Sequence, residues 1–349
     1  NKSGITGLDL TGATGLTSIG GGAFYECSQL TGTVRIPPSV ESIGDAAFRN
    51  SGITSLVLTE ATNLETIGAH AFAQCTALSG TVRIPPSVVR VGFYAFDGAT
   101  LDKIIVLQFL FEASANNPGW ATGFPTGKIE LDTFTYSADG KTITGLTDRN
   151  YAESVVIPPG IVSIGNSAFF NKGITSLVLD EATNLETIGE GAFAYCESLT
   201  GTIRIPSNVT SIGDGAFNDT RITSLVLDEA TGLTSIGDAA FRNTGITSLD
   251  LTGATGLTSI GDRAFAVCAG LTETLTIPSS VLSIGIFAFG RSGITGLDLT
   301  GATGLTSIGD YAFQGCTGLA GTTITISSEV ILGTDVFSNI DPAPTITHD

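Results

Sequence analysis

One histidine and one cysteine of this sequence have the residue types and the spacing that nucleophilic catalysis uses. His70 precedes Cys75 by five residues, and an imidazole close to a thiol can activate it as a nucleophile. Four other cysteines recur at equivalent places in the sequence with no histidine beside them. The sequence therefore favours a surface histidine next to a buried cysteine, and we predict no catalytic residues.

Aspartates form the second set of residues that could have a chemical function. Asp214, Asp238 and Asp262 follow one another at 24-residue steps, and Asp45 and Asp310 occupy the equivalent position elsewhere. Stacked carboxylates could hold calcium, which prefers oxygen ligands. Asp is also a preferred N-cap residue of helices. The capping role explains the position without an ion, so we predict helix caps, no metal and no cofactor.

Both sets are part of an internal repeat that covers most of the chain. An Ile-Gly or Val-Gly step recurs with a constant period within two blocks, as at Ile19, Ile43 and Ile67, and a phenylalanine follows five positions later. A fixed period of this size indicates a solenoid, in which each repeat stacks on the next. Stacking predicts a spine of twelve phenylalanines: Phe24, Phe48, Phe72, Phe96, Phe169, Phe193, Phe217, Phe241, Phe265, Phe289, Phe313 and Phe337.

Each repeat predicts the same short elements. Alternating runs such as SLVL at 55–58 predict a strand that pairs in parallel with its neighbours. GDAAF and GDGAF predict a short helical turn with Asp at the N-cap. The predicted fold class is therefore an α/β repeat solenoid, with a parallel sheet on one face and short helical turns on the other.

Two kinds of repeat are present. Ile-Pro repeats, such as residues 19–40, mostly carry a cysteine and an Ile-Pro step after the strand. Gly-Ile repeats, such as residues 43–64, mostly carry Gly-Ile before the strand and a polar loop after it. The two kinds mostly alternate, but Ile212 and Ile236 both open Gly-Ile repeats.

This pattern resembles the BspA-like leucine-rich-repeat proteins. The resemblance is carried by IGDYAFQGCTGL at 308–319 and LTIPSSVLSIGIFAF at 275–289, and it recurs along nearly the whole chain. It implies a curved leucine-rich-repeat solenoid on secreted or cell-surface proteins, commonly linked to adhesion. The 24-residue unit departs from the family's usual repeat of about 23 residues.

The period fails between Val91 and Ile164, which predicts two arrays. We predict a first array at 1–115, a linker at 116–127 and a second array at 128–349, capped by a hairpin in FTYSADGKTIT with Asp-Gly at its turn. The alternative is one continuous solenoid with a decorated loop. Trp120 is expected to pack over an exposed solenoid end. The mid-repeat start and the absence of methionine predict a piece of a longer protein.

The net charge of the chain and the spacing of its cysteines exclude some classes of protein. The net charge of −18 argues against nucleic-acid binding, which needs clustered cations. It suits a soluble extracellular surface. No two cysteines occupy adjacent repeats, and two steps of stacked strands separate them by about 10 Å, beyond the disulfide limit of about 7 Å. We predict five buried structural thiols outside any disulfide: Cys27, Cys75, Cys196, Cys268 and Cys316.

The outward face of the predicted strands is the candidate binding site. We predict a flat parallel sheet without aromatic side chains, which disfavours carbohydrate and suits a shallow protein contact. The alternative is a merely solvated face. The sequence also contains three N-glycosylation sequons, at Asn1, Asn208 and Asn218, and the last two are predicted to lie in surface loops. The predicted partner-binding residues are Arg35, Val57, Arg83, Val178, Arg204, Val226, Asp250 and Asp298.

The sequence thus predicts an extracellular or cell-surface module that binds proteins in adhesion and is not an enzyme. Its partners would be proteins on a host, a neighbouring cell or the matrix, or copies of itself, with no nucleic acid and no membrane insertion. The alternative is a structural protein that assembles into a filament, sheath or surface layer. A third possibility, ice binding through a threonine-rich face, conflicts with Arg35, Arg83 and Arg204, which interrupt the threonine ladder.

Overall fold

The computed structural model of the protein describes residues 4–106, 129–137, 140–148, 151–158 and 160–348. The chain divides into two compact units, Asn1–Thr142 and Ile143–Asp349. Each unit is a parallel β-solenoid with two ladders of strands. The array boundaries predicted above stay a prediction. The predicted linker, Trp120 and the sequon at Asn1 lie outside the described residues.

The first ladder, here called the short-strand ladder, consists of two-residue strands that begin the repeats. In every such described strand but the last, the second residue is an isoleucine or valine and is buried, whereas the residue before it is half-buried or exposed. In the first unit the strands are Ser18–Ile19, Ser42–Ile43, Thr66–Ile67 and Arg90–Val91. In the second unit, Thr142–Leu146 precedes Ser163–Ile164, Thr187–Ile188, Ser211–Ile212, Ser235–Ile236, Ser259–Ile260, Ser283–Ile284, Ser307–Ile308 and Ile331–Leu332.

The short-strand ladder is continuous within each unit. Each two-residue strand pairs in parallel with the equivalent strand of the next repeat, as Ser211 does with Ser235 and Ile212 with Ile236. The glycine that follows the isoleucine lets the repeats approach closely. A Cβ on Gly237 would lie 2.5 Å from the Asp214 Oδ1 and 2.7 Å from the backbone nitrogen of the same residue.

The second ladder, here called the long-strand ladder, contains the strands predicted from the alternating runs. In the first unit these are Thr33–Arg35, Ser55–Val57, Thr81–Arg83, Lys103–Val106 and Ile129–Leu131, followed by Phe134–Tyr136 outside the ladder. In the second unit they are Ser154–Val156, Ser176–Val178, Thr200–Arg204, Arg221–Val226, Thr274–Thr276, Gly296–Asp298, Thr323–Ile326 and Thr345–His348.

The long-strand ladder is broken: its strands pair in parallel, as predicted, but not between all neighbouring repeats. Its strands form separate sheets, mostly of two strands each. Strands pair across the shorter of two alternating steps, as from Thr33 to Ser55. They do not pair across the longer step, as from Ser55 to Thr81. These unequal steps arise because an Ile-Pro repeat has a longer segment before its strand and a shorter one after it. Outside this alternation, Lys103–Val106 pairs with Ile129–Leu131, with Ile104 opposite Ile129.

The predicted helical turns are also wrong, and with them the α/β class. The described residues contain no α-helix, and their one helical element is the 3₁₀ turn Thr317–Leu319. In the GDGAF segment the Phe217 N–H donates to the Ala240 carbonyl at 2.7 Å. That carbonyl belongs to the next repeat. The backbone therefore bonds between repeats instead of closing the intrahelical bonds that a helix requires.

The phenylalanine spine is confirmed. All twelve rings stack on their neighbours within each unit, at centroid separations from 4.8 Å for Phe24 and Phe48 to 5.5 Å for Phe313 and Phe337. Near-parallel rings at this distance bury a large apolar area in every repeat. The spine and the buried isoleucines form the core that holds the strands in place.

The five cysteines are buried and form no disulfide, as predicted. They lie eight positions after the repeat isoleucine, where most Gly-Ile repeats carry serine or threonine. The Cys268 thiol donates to the Phe241 carbonyl at 3.2 Å and contacts the Thr244 hydroxyl at 3.3 Å. Burial raises the pKa of the Cys196 and Cys316 thiols to about 11. The five cysteines are therefore structural residues of the buried core.

Candidate functional site

The structure does not support His70 and Cys75 as a catalytic pair. The Cys75 thiol is fully buried and donates to the Phe48 carbonyl at 3.0 Å. Burial also raises its pKa, which disfavours the thiolate that a nucleophile needs. The His70 ring stacks on Tyr94 with centroids 5.3 Å apart. The histidine is therefore part of the turn surface, as the sequence favoured.

The repeated aspartates bind backbone N–H groups of the next repeat. The Asp238 Oδ1 accepts a hydrogen bond from the Asp262 N–H at 2.7 Å, and the Asp214 Oδ1 accepts one from the Asp238 N–H at 2.8 Å. The prediction of helix N-caps is thus wrong, because no helix begins at these described aspartates and each donor lies one repeat ahead. Among the described residues, no three His, Cys, Asp or Glu side chains group to hold a metal ion.

The predicted partner-binding residues lie on the outward side of the long-strand ladder. Along Ser55–Val57 the middle residue, Leu56, is buried and the two flanking residues are half-buried. The same alternation holds along Thr33–Arg35 and Thr274–Thr276. Arg204 and Asp250 are exposed, and Val226 and Asp298 are half-buried. The structure therefore gathers these positions into a band along each unit.

Grooves interrupt this band in the second unit, where strands fail to pair. One groove, of about 290 Å³, lies between Asp180–Thr183 and Arg204–Asn208. A second, of about 200 Å³, lies between Leu299–Leu305 and Ile326–Val330. A Gly-Ile repeat precedes an Ile-Pro strand position at both places. Sequence reasoning missed the grooves, although the alternation of shorter and longer steps between strands carries the signal.

A third groove, larger than these two, follows the two consecutive Gly-Ile repeats. It has a volume of about 510 Å³ and is lined by residues from 224–228, 248–252 and 273–276. The preceding step, from Ser224 to Ser248, is intermediate in length, and the ladder there is reduced to a single bridge between Leu225 and Leu249. We call this site the acidic groove, because Asp228, Asp250 and Glu273 line it.

Arginines of the Ile-Pro strands pair with carboxylates close to the strand gaps. Arg35 Nη1 lies 3.1 Å from Glu60 Oε1, and Arg204 Nε lies 4.0 Å from Asp180 Oδ1. Side chains of both pairs are about half exposed. Such pairs are worth little to stability in water. Their guanidinium groups therefore remain accessible on the face.

Arg83 has the same strand position but a buried partner. Its Nη1 lies 2.5 Å from the Oδ2 of Asp132, whose side chain is 1% exposed. The Tyr136 hydroxyl donates to the same carboxylate at 3.2 Å. Burial and then the charge of Asp132 raise the pKa of Tyr136. Arg83 is thus held as a structural residue, in contrast to Arg35 and Arg204.

The two described sequon asparagines lie on the surface but take part in contacts between repeats. Asn208 is exposed, and its Nδ2 donates to the Thr183 carbonyl across a groove. Asn218 is half-buried, and its Oδ1 accepts from the Arg242 Nη1 at 3.4 Å. Glycosylation bonds the sugar to Nδ2, so it would disturb the contact of Asn208 but not the Oδ1 contact of Asn218, and it stays a prediction at both residues.

The repeated parallel strands and the stacked core define a leucine-rich-repeat solenoid. The chain belongs to the BspA type leucine-rich-repeat family, whose model matches six copies over residues 3–115, 146–243 and 234–347. The resemblance inferred from the sequence is thereby confirmed. The chain matches none of the curated proteins.

Solved structures of leucine-rich-repeat proteins are among those similar to this chain. One from Bacteroides ovatus is 21% identical and covers 92% of this chain and 79% of its own, with a TM-score of 0.30. A cell surface protein from Faecalibacterium prausnitzii is 17% identical and covers 95% and 83%, with a TM-score of 0.29. The pneumococcal vaccine antigen PcpA is 14% identical and covers 92% and 78%, with a TM-score of 0.21.

Helices of the length and apolar character needed to cross a bilayer do not occur in the described part of the chain.

Proposed function

We propose that the chain is an extracellular or cell-surface module that binds protein partners in adhesion through the outward face of its long-strand ladder, without catalysis. The observation that carries the proposal is the band of exposed and half-buried Val, Arg, Asp, Ser and Thr positions along the strands. Such a band offers a broad, shallow contact of mixed polarity, which is typical of protein interfaces. Family membership supports a surface location.

Substitutions that change the face without touching the core test this proposal. Arginine already occupies the last strand position of several Ile-Pro repeats, and the two valines at that position are half-buried, so Val57→Arg and Val178→Arg should be tolerated by the fold. The matched control is Ile286→Asp, on an exposed turn position where other repeats carry aspartate. Binding of each purified variant to immobilised cell-surface and matrix proteins is measured by surface plasmon resonance.

The expected result is that the Val57→Arg and Val178→Arg double variant weakens binding roughly tenfold, because a charged side chain at the centre of an interface is poorly tolerated. The Ile286→Asp variant should bind like the unmodified chain. Binding that is lost equally in both variants, or is absent for every protein in the panel, contradicts the proposal. Polymers that grow with concentration in light scattering would favour the self-assembly alternative.

A further inference from the structure

The acidic groove differs from the remainder of the long-strand face in its backbone. Beside it, Thr274–Thr276 pairs with Gly296–Asp298 on one side only. On the other side, the segment Ser248–Asp250 contributes no strand and keeps a single bridge to Leu225. The next step along the long-strand ladder, from Ser248 to Thr274, is one of the longer steps. The groove therefore lies along a strand edge that the described part of the chain leaves open.

Its charge is the second difference. Asp228, Asp250 and Glu273 are exposed in the groove, and none of its lining residues is lysine or arginine. Asp250 accepts hydrogen bonds from the Thr252 hydroxyl at 2.6 Å and from the Thr252 N–H at 2.8 Å. The side-chain bond first and the backbone bond second lower the pKa of Asp250. The groove is therefore anionic at neutral pH.

The groove between Asp180–Thr183 and Arg204–Asn208 shows what such a site accommodates. There Arg204, the last residue of its strand, lines the groove and lies 4.0 Å from the Asp180 carboxylate. Arg35 and Arg83 have the equivalent strand position in the first unit. In the acidic groove that position is Thr276. The acidic groove thus has three lining carboxylates where its counterpart has two, a larger volume and no arginine of its own.

We infer that the acidic groove binds an extended segment of a partner protein and takes an arginine or lysine side chain of that segment between its carboxylates. The inference deepens the proposed function and rests on it. The open strand edge suits an extended backbone, as in recognition by strand addition, and a volume of about 510 Å³ is within the usual range of binding clefts. Charge complementarity then selects a basic segment.

The probe is the peptide Thr-Arg-Thr-Arg-Thr-amide, labelled with fluorescein at its N-terminal amine, which places both arginines on one side of an extended chain. Its anisotropy is measured with the full chain, beside the glutamate analogue of the same peptide. The test variants are the double variant Asp250→Asn with Glu273→Gln, and the single variant Thr276→Arg, which restores the arginine found in other repeats. Glu190→Gln with Glu197→Gln changes the net charge equally at exposed positions outside the groove.

Both test variants should weaken binding of the arginine peptide roughly tenfold, and 0.5 M salt should weaken it further, because exposed charge pairs are screened. The control variant should change the dissociation constant less than about twofold. Equal binding of the two peptides, or equal loss in the control and test variants, overturns the inference. Unchanged thermal unfolding of Thr276→Arg verifies that the variant is folded.

The protein panel described above separates this inference from the proposed function. If Thr276→Arg leaves partner binding intact while Val57→Arg and Val178→Arg abolish it, the face binds proteins but the acidic groove does not. If neither set of variants affects binding, the proposed function fails as well.

Discussion

The two ladders of each unit are built from the same repeats, yet one is continuous and the other is broken. Along the short-strand ladder the steps between two-residue strands are equal in length, and every such strand finds its neighbour. Along the long-strand ladder shorter and longer steps alternate, and the shorter step pairs whereas the longer step does not. Only Lys103–Val106 and Ile129–Leu131, among the described strands, pair outside this alternation. A constant period therefore gives one ladder its register, while loop length decides where the other opens.

We expect this difference to separate the residues that stabilise the fold from those of the proposed binding face. The short-strand ladder has inter-repeat hydrogen bonds at every step and glycines that permit close contact between repeats. The long-strand ladder has the exposed side chains and the grooves. Substitutions in the core and on the short-strand side should therefore affect folding most, and substitutions on the long-strand side should affect binding with little effect on folding.

The largest effect is expected in the phenylalanine spine. Phe217 is fully buried and stacks on Phe193 and Phe241, at 5.1 and 5.2 Å. Phe217→Ala should lower the free energy of unfolding by about 4 kcal/mol, measured by urea denaturation, because it leaves a cavity in a close-packed core. The control Phe170→Ala removes a ring that is 46% exposed and should cost less than about 1 kcal/mol. Similar losses for both would contradict the buried spine.

The close approach of repeats beside the short strands is the next feature to test. In Gly237→Ala the new Cβ would meet Asp214 and the Gly213 backbone at 2.5 to 2.7 Å. The repeats would have to separate, so we expect a loss of about 2 to 3 kcal/mol in the same measurement. Gly301→Ala is the control, because no atom lies within 4 Å of its added Cβ. A Gly237→Ala variant as stable as Gly301→Ala would refute the close contact.

Much of this division could be read from the sequence. The spine followed from twelve phenylalanines at one repeat position, and the alternation of buried and outward residues in Ser55–Val57 followed from the pattern itself. The turns could not be predicted from local preference. GDAAF favours a helix in isolation, but its N–H groups find acceptors in the next repeat. Tertiary contacts therefore overrode propensity.

The grooves were also missed, for a different reason. Their position depends on the difference in step length between Ile-Pro and Gly-Ile repeats, whereas the period measured at the isoleucines is constant. Among the strand positions Ser224, Ser248 and Thr274, the second step is longer than the first by two positions, and the acidic groove lies there. The residue numbers of the strands contain this difference in step length. Distances between the strands are needed to show that the added length leaves them unpaired.

The buried thiols should make the core sensitive to alkaline pH. The folded pKa of Cys196 and Cys316 is raised to about 11, mainly by burial, from an ordinary value near 9.0. A raised pKa means that this stability is fully present below pH 9 and is lost as the pH rises through 11. Relative to a Cys196→Ala variant, the unmodified chain should lose about 2 kcal/mol more between pH 8 and pH 11. Parallel pH profiles would contradict the predicted shifts.

A smaller effect is expected from the aspartate ladder. Asp238→Ala removes the acceptor of the Asp262 N–H, a bond of 2.7 Å at an exposed position. We expect a loss of about 1 kcal/mol in the free energy of unfolding. Asp238→Asn keeps an oxygen acceptor and should recover most of that loss. An asparagine variant no more stable than the alanine variant would show that charge, not the hydrogen bond, stabilises the repeat contact.

The smallest effect is expected on the long-strand face, in the ion pair of Arg35 and Glu60. Both side chains are about half exposed, and their atoms lie 3.1 Å apart. A double-mutant cycle of Arg35→Ala and Glu60→Ala should give a coupling energy below about 0.5 kcal/mol by urea denaturation. Raising the salt concentration should reduce it further. A coupling above about 1 kcal/mol would place Arg35 in the framework of the fold, and the guanidinium would then not be available to a partner.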